Sequence, residues 1–214
     1  MYRQWLGCVM IGLLMTSGCL AVVEPDIFEG EDINRLMEFS PFTLHDQHAA
    51  NFSSSSLNDT VVVVHFMFTN CYDVCSTQTQ DLAAIHEQYT ERVGVDLEFI
   101  SITVDPWRDD AVALSDYSQV FNTSWPMLTV PFLNDENLSL IERVWTEFGV
   151  QVTLIESEES TTIQGRGHTV YYNVEHTDGV VLLDFNGLQR VRWTSDTWNA
   201  TGIANDIELL LGGV

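Results

Sequence analysis

A continuous apolar run, TVVVVHFMF at residues 60–68, most constrains how this chain can fold. An uninterrupted series of β-branched and aromatic residues is typical of a strand that is buried on both faces. The segment that follows, residues 76–93, places Leu82, Ile85 and Tyr89 at helical spacing and predicts an amphipathic helix. Because a strand buried on both faces needs a covering layer on each side, the pattern predicts an α/β layered domain.

The rest of the chain continues this alternation. Further elements are predicted as follows: strands at 39–47, 95–104 and 125–130, helices at 109–121, 135–150 and 199–213, and a hairpin at 168–185 about an Asp178-Gly179 turn. Asp109 and Asp110 begin the helix at 109–121, where the helix dipole favours acidic side chains. The sequence therefore predicts a central mixed sheet flanked by helices, with an N-terminal strand extension at 39–47.

The N-terminal residues differ in kind from this domain. Arg3 precedes an apolar stretch of about eleven residues, which is too short to span a bilayer and resembles the core of a signal peptide. The small residues TSG then lead to Cys19, as in a lipoprotein processing site. We expect residues 1–18 to be a lipoprotein-like signal peptide, Cys19 to carry lipid, residues 19–38 to form an acidic tether, and the domain to occupy 39–214. A signal peptide without lipidation, or a short uncleaved anchor, is the alternative.

Charge restricts the class of partner. The chain has eight Arg, no Lys and thirty-one acidic residues, for a net charge of −23. Such a surface repels phosphate backbones, which argues against nucleic-acid binding. An acidic surface of this kind is typical of proteins adapted to salt, where screening makes the self-repulsion tolerable.

The cysteines indicate the chemistry. If Cys8 is removed with the signal peptide and Cys19 carries lipid, the mature domain keeps only Cys71 and Cys75. They lie where the first buried strand ends and the first helix begins, which is the edge where open α/β sheets bind ligands. Residues four apart share one helix face, and the partial positive charge at a helix N-terminus favours thiolates. The pair could form a redox or structural disulfide, or hold a soft metal, and spacing alone leaves both roles open.

A metal would require a third ligand, and the sequence offers six histidines. His65 lies in an apolar strand and fits a core position, whereas His45, His48 and His86 fit ordinary surface positions. His176 flanks the predicted Asp-Gly turn and is expected to lie away from the cysteine edge. His168 follows the glycine-containing loop QGRG at the start of a predicted strand, so we expect it to face the cysteines. Two thiolates and one imidazole favour copper, as Cu(I) or as Cu(II) with an added oxygen ligand.

Four segments carry a resemblance to a known family. FMFTNCYDVCSTQTQDLAAIHEQY, FISITVDPWRDD, VWTEFGV and GHTVYYNVEHTDG resemble, in order and spacing, the Sco/SenC family of copper-binding proteins with a thioredoxin-like fold. The resemblance covers roughly residues 39–212. It implies an extracytoplasmic domain, anchored at the outer face of the cytoplasmic membrane by a lipid or a helix. Its implied role is to help assemble the dinuclear copper site of cytochrome c oxidase subunit II, or to act on a similar copper-receiving protein.

The resemblance also implies residue roles. Carried over by position, it makes Cys71, Cys75 and His168 the copper ligands, with Asp73, Asp105 and Arg108 as candidates for supporting them. The chain departs from the family pattern at four positions near the ligands: Asn70, Tyr72, Ser76 and Gly167. None of these departures removes a ligand, but loss of an acidic group beside His168 is expected to alter its ring orientation and the copper affinity.

Two functional hypotheses follow. The first is a metallochaperone that delivers copper, reduces the acceptor's cysteines, or does both. The second is a thiol-disulfide oxidoreductase that uses Cys71 and Cys75 as a dithiol without obligatory copper carriage. A peroxidase is disfavoured, because the motif lacks the Arg and Thr usually found around a peroxidatic cysteine.

Overall fold

The computed structural model describes residues 27–71, 74–156, 164–165, 168–169, 172–177 and 179–213, with only the backbone described for 34–37, 164–165 and 168–169. The predicted signal peptide, the lipidation candidate Cys19 and the supporting candidate Asp73 lie outside the described residues. So does Asp178 of the predicted hairpin turn. None of the helices in the described ranges is long and apolar enough to cross a membrane.

These ranges contain twelve strands, four α-helices and a short 3-10 helix at Ser54–Leu57. In chain order the strands are β1 Glu31–Met37, β2 Thr43–His45, β3 Asn51–Ser53, β4 Val61–Met67, β5 Leu97–Thr103, β6 Met127–Leu128, β7 Val152–Glu156, β8 Gln164–Gly165, β9 His168–Thr169, β10 Tyr172–His176, β11 Gly179–Leu183 and β12 Gln189–Trp193. The helices are α1 Val74–Gln88, α2 Ala111–Phe121, α3 Asp135–Glu147 and α4 Ala200–Leu211. The four predicted helices and the strands at 95–104 and 125–130 are thereby confirmed.

A six-stranded mixed sheet forms the centre, in the order β1-β12-β11-β4-β5-β6. β4 runs parallel to β5, and β5 parallel to β6, while β11 is antiparallel to both β4 and β12. All seven residues of β4 and all five of β11 are buried, as two-sided covering requires. α1 packs against α2 and α4 over this sheet. The predicted α/β thioredoxin-like architecture is confirmed.

Residues before 39 also take part in the central sheet. Residues 31–37 of the expected tether form β1, an edge strand antiparallel to β12. Phe28, before that strand, is also buried. Asp206 on α4 holds the entry to β1, because its carboxylate accepts hydrogen bonds from the backbone N–H groups of Glu29 (2.8 Å) and Gly30 (3.0 Å). The sequence of this strand is acidic and has no apolar period, so its pattern does not predict a strand. A strand at the edge of a sheet needs few apolar side chains. The strand predicted at 39–47 is β2, which pairs with β3 outside the main sheet.

The predicted hairpin at 168–185 is wrong. β10 pairs with β7 in a separate two-stranded ribbon, whereas β11 enters the central sheet. The difference in side chains explains this partition. β11 is GVVLL, apolar throughout, and is stabilised by burial on both faces. β10 is YNVEH, whose residues alternate between half-buried and exposed, as suits a ribbon with one solvated face.

Candidate metal and dithiol site

The cysteine pair lies where the loop after β4 leads into α1. Cys75, in the first turn of α1, is fully buried, and Cys71, in the preceding loop, is half-buried. The Cys75 backbone N–H donates to Cys71 Sγ at 3.3 Å, so that sulfur satisfies one of the N–H groups left open at the helix start. The two cysteines are not joined in a disulfide. The expected placement of both at the carboxyl edge of the first central strand is confirmed.

His176, at the end of β10, lies against this pair. Its Nε2 is 3.9 Å from Cys75 Sγ, and its ring meets the Phe68 ring edge-on with centroids 5.5 Å apart. The expectation that His176 lies away from the cysteine edge is therefore wrong. The register explains the error: β11 is antiparallel to β4 and opens with Gly179 opposite Phe66. Residues just before β11 consequently share an edge with residues just after β4.

The hydrogen bond at the other ring nitrogen assigns the tautomer of His176. Nδ1 lies 3.0 Å from the Thr177 carbonyl oxygen. A carbonyl can only accept, so Nδ1 carries the proton in the neutral ring and Nε2 carries the lone pair. A backbone carbonyl on the other nitrogen is the usual way in which a metal-binding histidine is oriented. The unprotonated Nε2 is also the nitrogen that faces Cys75.

The predicted ligand His168 begins β9, whose two residues pair with β8 in a short ribbon. Its side chain lies outside the described residues, so its role as a ligand stays a prediction. His65 is buried within β4, with Nδ1 3.3 Å from Ser101 Oγ, which confirms its assignment to the core. His86 packs against the rings of Phe99 and Trp125, and burial lowers the pKa of its imidazole.

Asp105 and Arg108 form a fully buried ion pair at 2.8 Å, in the loop after β5. Both also contact Tyr172 at the start of β10: the Tyr172 hydroxyl donates to Asp105 Oδ1 at 2.7 Å, and Arg108 Nη2 donates to the Tyr172 carbonyl. Burial raises the pKa of Asp105 above its ordinary value, although its hydrogen bonds and the Arg108 charge act against the rise. Burial, followed by the neighbouring carboxylate, also raises the pKa of Tyr172.

Asp109 is a further buried carboxylate near the cysteine loop. It accepts from Thr69 Oγ1 at 2.5 Å, from the Thr69 backbone N–H at 3.1 Å and from Thr103 Oγ1 at 2.6 Å, which ties the loop after β4 to the end of β5. Burial, and then the nearby charge of Asp105, raise the pKa of Asp109 to about 7. Sequence reasoning placed Asp109 with Asp110 at the helix start; only Asp110 is the cap, accepting from the Ala113 N–H at 2.9 Å.

The donor set suits a soft metal ion. Metal–sulfur bonds of about 2.3 Å and metal–nitrogen bonds of about 2.0 Å at a trigonal angle would hold S and N about 3.7 Å apart. The 3.9 Å between Cys75 Sγ and His176 Nε2 is close to this separation. Across the described ranges, no group of three or more His, Cys, Asp or Glu side chains is placed so that it could hold a metal ion. The arrangement is thus a dithiol with one adjacent imidazole.

A sequence model of the SCO1/SenC family matches residues 31–212, and the chain belongs to this family. Among known proteins, the SCO1 protein homolog of Bacillus subtilis is 29% identical over 153 residues, covering 71% of this chain and 75% of that protein. A SCO2-like protein of Rickettsia conorii is 27% identical over 146 residues, covering 68% of this chain and 64% of the relative's length.

Solved structures of Sco proteins also resemble this chain in fold. The copper-bound structure of Bradyrhizobium japonicum ScoI superimposes with a TM-score of 0.64 at 21% sequence identity, covering 81% of this chain and 99% of that one. At this identity the likeness establishes the fold, which is the thioredoxin-like fold of Sco proteins. The family match begins at residue 31, which is also the first residue of β1.

Proposed function

We propose that this protein is an extracytoplasmic copper-binding metallochaperone that assists assembly of the dinuclear copper site of cytochrome c oxidase subunit II, or of a similar copper-receiving protein. The observation that carries the proposal is the 3.9 Å approach of His176 Nε2 to the buried Cys75 sulfur, beside Cys71. Family membership and the copper-bound state of the Bradyrhizobium relative support it.

Copper is the cargo in this proposal, as Cu(I) or Cu(II), and Cys71 and Cys75 supply the two thiolate ligands. For the imidazole, the resemblance favours His168 and the geometry favours His176. Cys71 is the more exposed sulfur, whereas Cys75 is fully buried. An acceptor thiol can therefore reach the Cys71 side of the site first, and transfer would proceed by ligand exchange from that side.

Copper binding by the purified domain tests this assignment. The reduced protein is titrated with Cu(I) under anaerobic conditions against a competing chelator, and the series is repeated for Cys75→Ser, His176→Ala and His168→Ala. His48→Ala, at an exposed histidine, is the matched control. We expect one copper per chain, loss of high-affinity binding in Cys75→Ser, and an affinity at least about tenfold lower in His176→Ala.

The outcomes of this series are distinct. His48→Ala is expected to stay within about twofold of the unmodified protein. A loss in His168→Ala beside the loss in His176→Ala would support both imidazoles as ligands, the first from the resemblance and the second from the geometry. A large loss in His168→Ala with none in His176→Ala would reverse the histidine assignment. Unchanged copper binding in Cys75→Ser would exclude the site altogether.

A thiol-disulfide oxidoreductase is the second candidate, favoured by the contact between Cys71 Sγ and the Cys75 N–H at 3.3 Å. In this reaction the Cys71 thiolate attacks an acceptor disulfide, and Cys75 then displaces the acceptor thiol. Two electrons and two protons pass to the acceptor while Cys71 and Cys75 form a disulfide. Incubation of the reduced domain with an oxidised dicysteine peptide, followed by thiol trapping and mass spectrometry, measures it. Cys71→Ser should abolish the exchange.

We also propose membrane anchoring through lipid on Cys19, at the outer face of the cytoplasmic membrane. The support is the short apolar N-terminal stretch that ends in TSGC. Mass spectrometry of the protein from membranes should find a lipid-modified N-terminal cysteine, and Cys19→Ser should release the protein from the membrane fraction. Full retention of Cys19→Ser would point instead to an uncleaved anchor.

A further inference from the structure

The strand that carries His176 lies outside the central sheet. β10 pairs only with β7 among the described strands, and the two form an antiparallel ribbon in which Tyr172 lies opposite Glu156 and His176 opposite Val152. Four of the five β7 residues are exposed. A solvated two-stranded ribbon is marginal by itself, so the position of His176 depends on what fastens β10 to the domain.

The His176 end of the ribbon is fastened by local contacts. The Thr177 N–H donates to the Gln151 carbonyl at 2.9 Å, and the His176 ring packs edge-on against Phe68. These contacts orient the ring but do not fix the far end of β10. Tyr172 and His176 are four residues apart, which corresponds to about 13 Å along an extended strand.

At that far end, Tyr172 makes several contacts with the buried Asp105–Arg108 ion pair. The Tyr172 hydroxyl donates to Asp105 Oδ1 at 2.7 Å, while Arg108 Nη1 donates to Asp105 Oδ2 at 2.8 Å, so each carboxylate oxygen has a donor. Arg108 also donates to the Tyr172 carbonyl, and its Cζ lies 4.2 Å from the Tyr172 ring centroid. The Trp107 ring meets the Tyr172 ring edge-on at 6.2 Å.

The contacts among Asp105, Arg108 and Tyr172 contribute more to the position of β10 than to the overall stability of the fold. A buried ion pair is weak evidence for stability, because desolvation offsets most of the attraction between the charges. Its strength is geometric: a planar guanidinium and a carboxylate with both oxygens engaged accept few alternative arrangements. Here both members of the ion pair contact Tyr172, which begins the strand β10 that also carries His176.

We infer that Tyr172, held by the Asp105–Arg108 pair, is a positioning residue that registers β10 so that His176 Nε2 faces the Cys75 sulfur. This inference rests on the proposed function, since it concerns the same copper site. It assigns Asp105 and Arg108 an indirect role: they act on the site through Tyr172 and the strand, not through contact with the metal.

The substitution Tyr172→Phe tests the inference with little risk to folding. It removes the hydroxyl that bonds Asp105 but keeps the ring under Arg108 and the backbone carbonyl. Tyr89→Phe is the matched control: Tyr89 is also half-buried, and its hydroxyl donates to the Ala204 carbonyl at 3.0 Å, beyond the opposite end of α1.

The first measurement uses the metal-free protein. Heteronuclear NMR of the His176 ring should report the Nδ1-protonated tautomer in the unmodified protein and in Tyr89→Phe. In Tyr172→Phe we expect averaged ring signals and at least about tenfold faster hydrogen exchange of the β10 amides. Identical His176 signals and β10 exchange in Tyr172→Phe would overturn the inference.

The second measurement uses the copper-loaded protein. Loss of a group that orients a ligand typically lowers metal affinity about ten- to hundredfold. We expect a loss of this size for Cu(I) in Tyr172→Phe, with a shifted Cu(II) electron paramagnetic resonance spectrum, and neither change in Tyr89→Phe. If the unmodified protein fails to bind copper, the proposed function fails, whereas the metal-free measurement still decides the positioning role.

Discussion

Replacing Asp109 by Asn should change how the stability of this protein depends on pH. Asp109 is fully buried, and three donor groups on Thr69 and Thr103 bond its carboxylate. Burial and the neighbouring Asp105 charge raise its pKa from 3.8 to about 7 in the folded protein. Asn has nearly the same shape and keeps an acceptor oxygen but does not titrate. The substitution therefore isolates the proton linkage from packing.

The sign of the effect follows from proton binding. Between pH 4 and pH 7 the folded protein holds a proton on Asp109 that the unfolded chain has released. The native state then binds more protons, so the contribution of Asp109 to the free energy of unfolding falls as pH rises. At 1.36 kcal/mol for each pH unit, the interval from 3.8 to about 7 corresponds to about 4 kcal/mol. Above about pH 7 the contribution is constant.

Urea unfolding of the reduced, metal-free domain from pH 4.5 to 8.5, at constant ionic strength, measures this contribution. The free energy of unfolding of Asp109→Asn, minus that of the unmodified protein, should rise with pH at up to about 1.4 kcal/mol per unit and level off near pH 7 to 8. Asp116→Asn, at an exposed position on α2, is the control and should give a flat difference. A flat difference for Asp109→Asn as well would refute the linkage argument.

Three further substitutions probe other features. Gly179→Ala should prevent β11 from pairing normally in the central sheet, because Gly179 has φ +108° and an added Cβ would lie 1.8 Å from the Trp193 carbonyl oxygen. Thermal unfolding followed by circular dichroism should show a large loss of stability. Asp206→Ala should lower the free energy of unfolding by about 3 kcal/mol or more, because it leaves three donors without their acceptor, including the Trp193 indole N–H at 3.0 Å. Hydrogen exchange should show faster opening of the residues before β1. Arg92→Gln should change the free energy of unfolding only slightly, because its ion pair with Asp96 is exposed to solvent and screened by salt. Chemical denaturation at low and high salt measures the change.

Each of these expectations has a contrary result. Wild-type thermal stability in Gly179→Ala would mean that the start of β11 tolerates a different backbone conformation. Unchanged exchange at residues 29–30 in Asp206→Ala would show that β1 is held by its pairing with β12 alone. A large, salt-sensitive loss in Arg92→Gln would show that the pair belongs to a stronger charge network.

Much of the fold was predictable because local patterns and tertiary structure agree. The run at 60–68 became β4, buried throughout, and the periodic segment after the cysteines became α1. The errors fall where pairing partners are distant in sequence. β1 pairs with a strand more than 150 positions later, and no local apolar pattern announces an edge strand of this kind. Similarly, β10 and β11 adjoin in sequence but pair with different strands.

The candidate site shows the same division. Cys71 and Cys75 could be located because a buried strand followed by an amphipathic helix puts the intervening loop at one sheet edge. His176 was missed, although a signal was present: the fully apolar run GVVLL begins three residues after it. If that run is treated as a central strand antiparallel to β4, the residues before it must lie at the cysteine edge. The Asp-Gly pair suggested a local hairpin instead.

From sequence alone, the chain determined its layered α/β class, its acidic surface, its family and the place of its two thiols, because each is written in residue type and short-range spacing. Only the tertiary structure decided which histidine approaches Cys75, across 101 positions, and which buried charges hold Tyr172 at the head of its strand. The physical reason is that an antiparallel strand inserted between β4 and β12 reverses the chain. That reversal brings residues to one edge that no local periodicity relates.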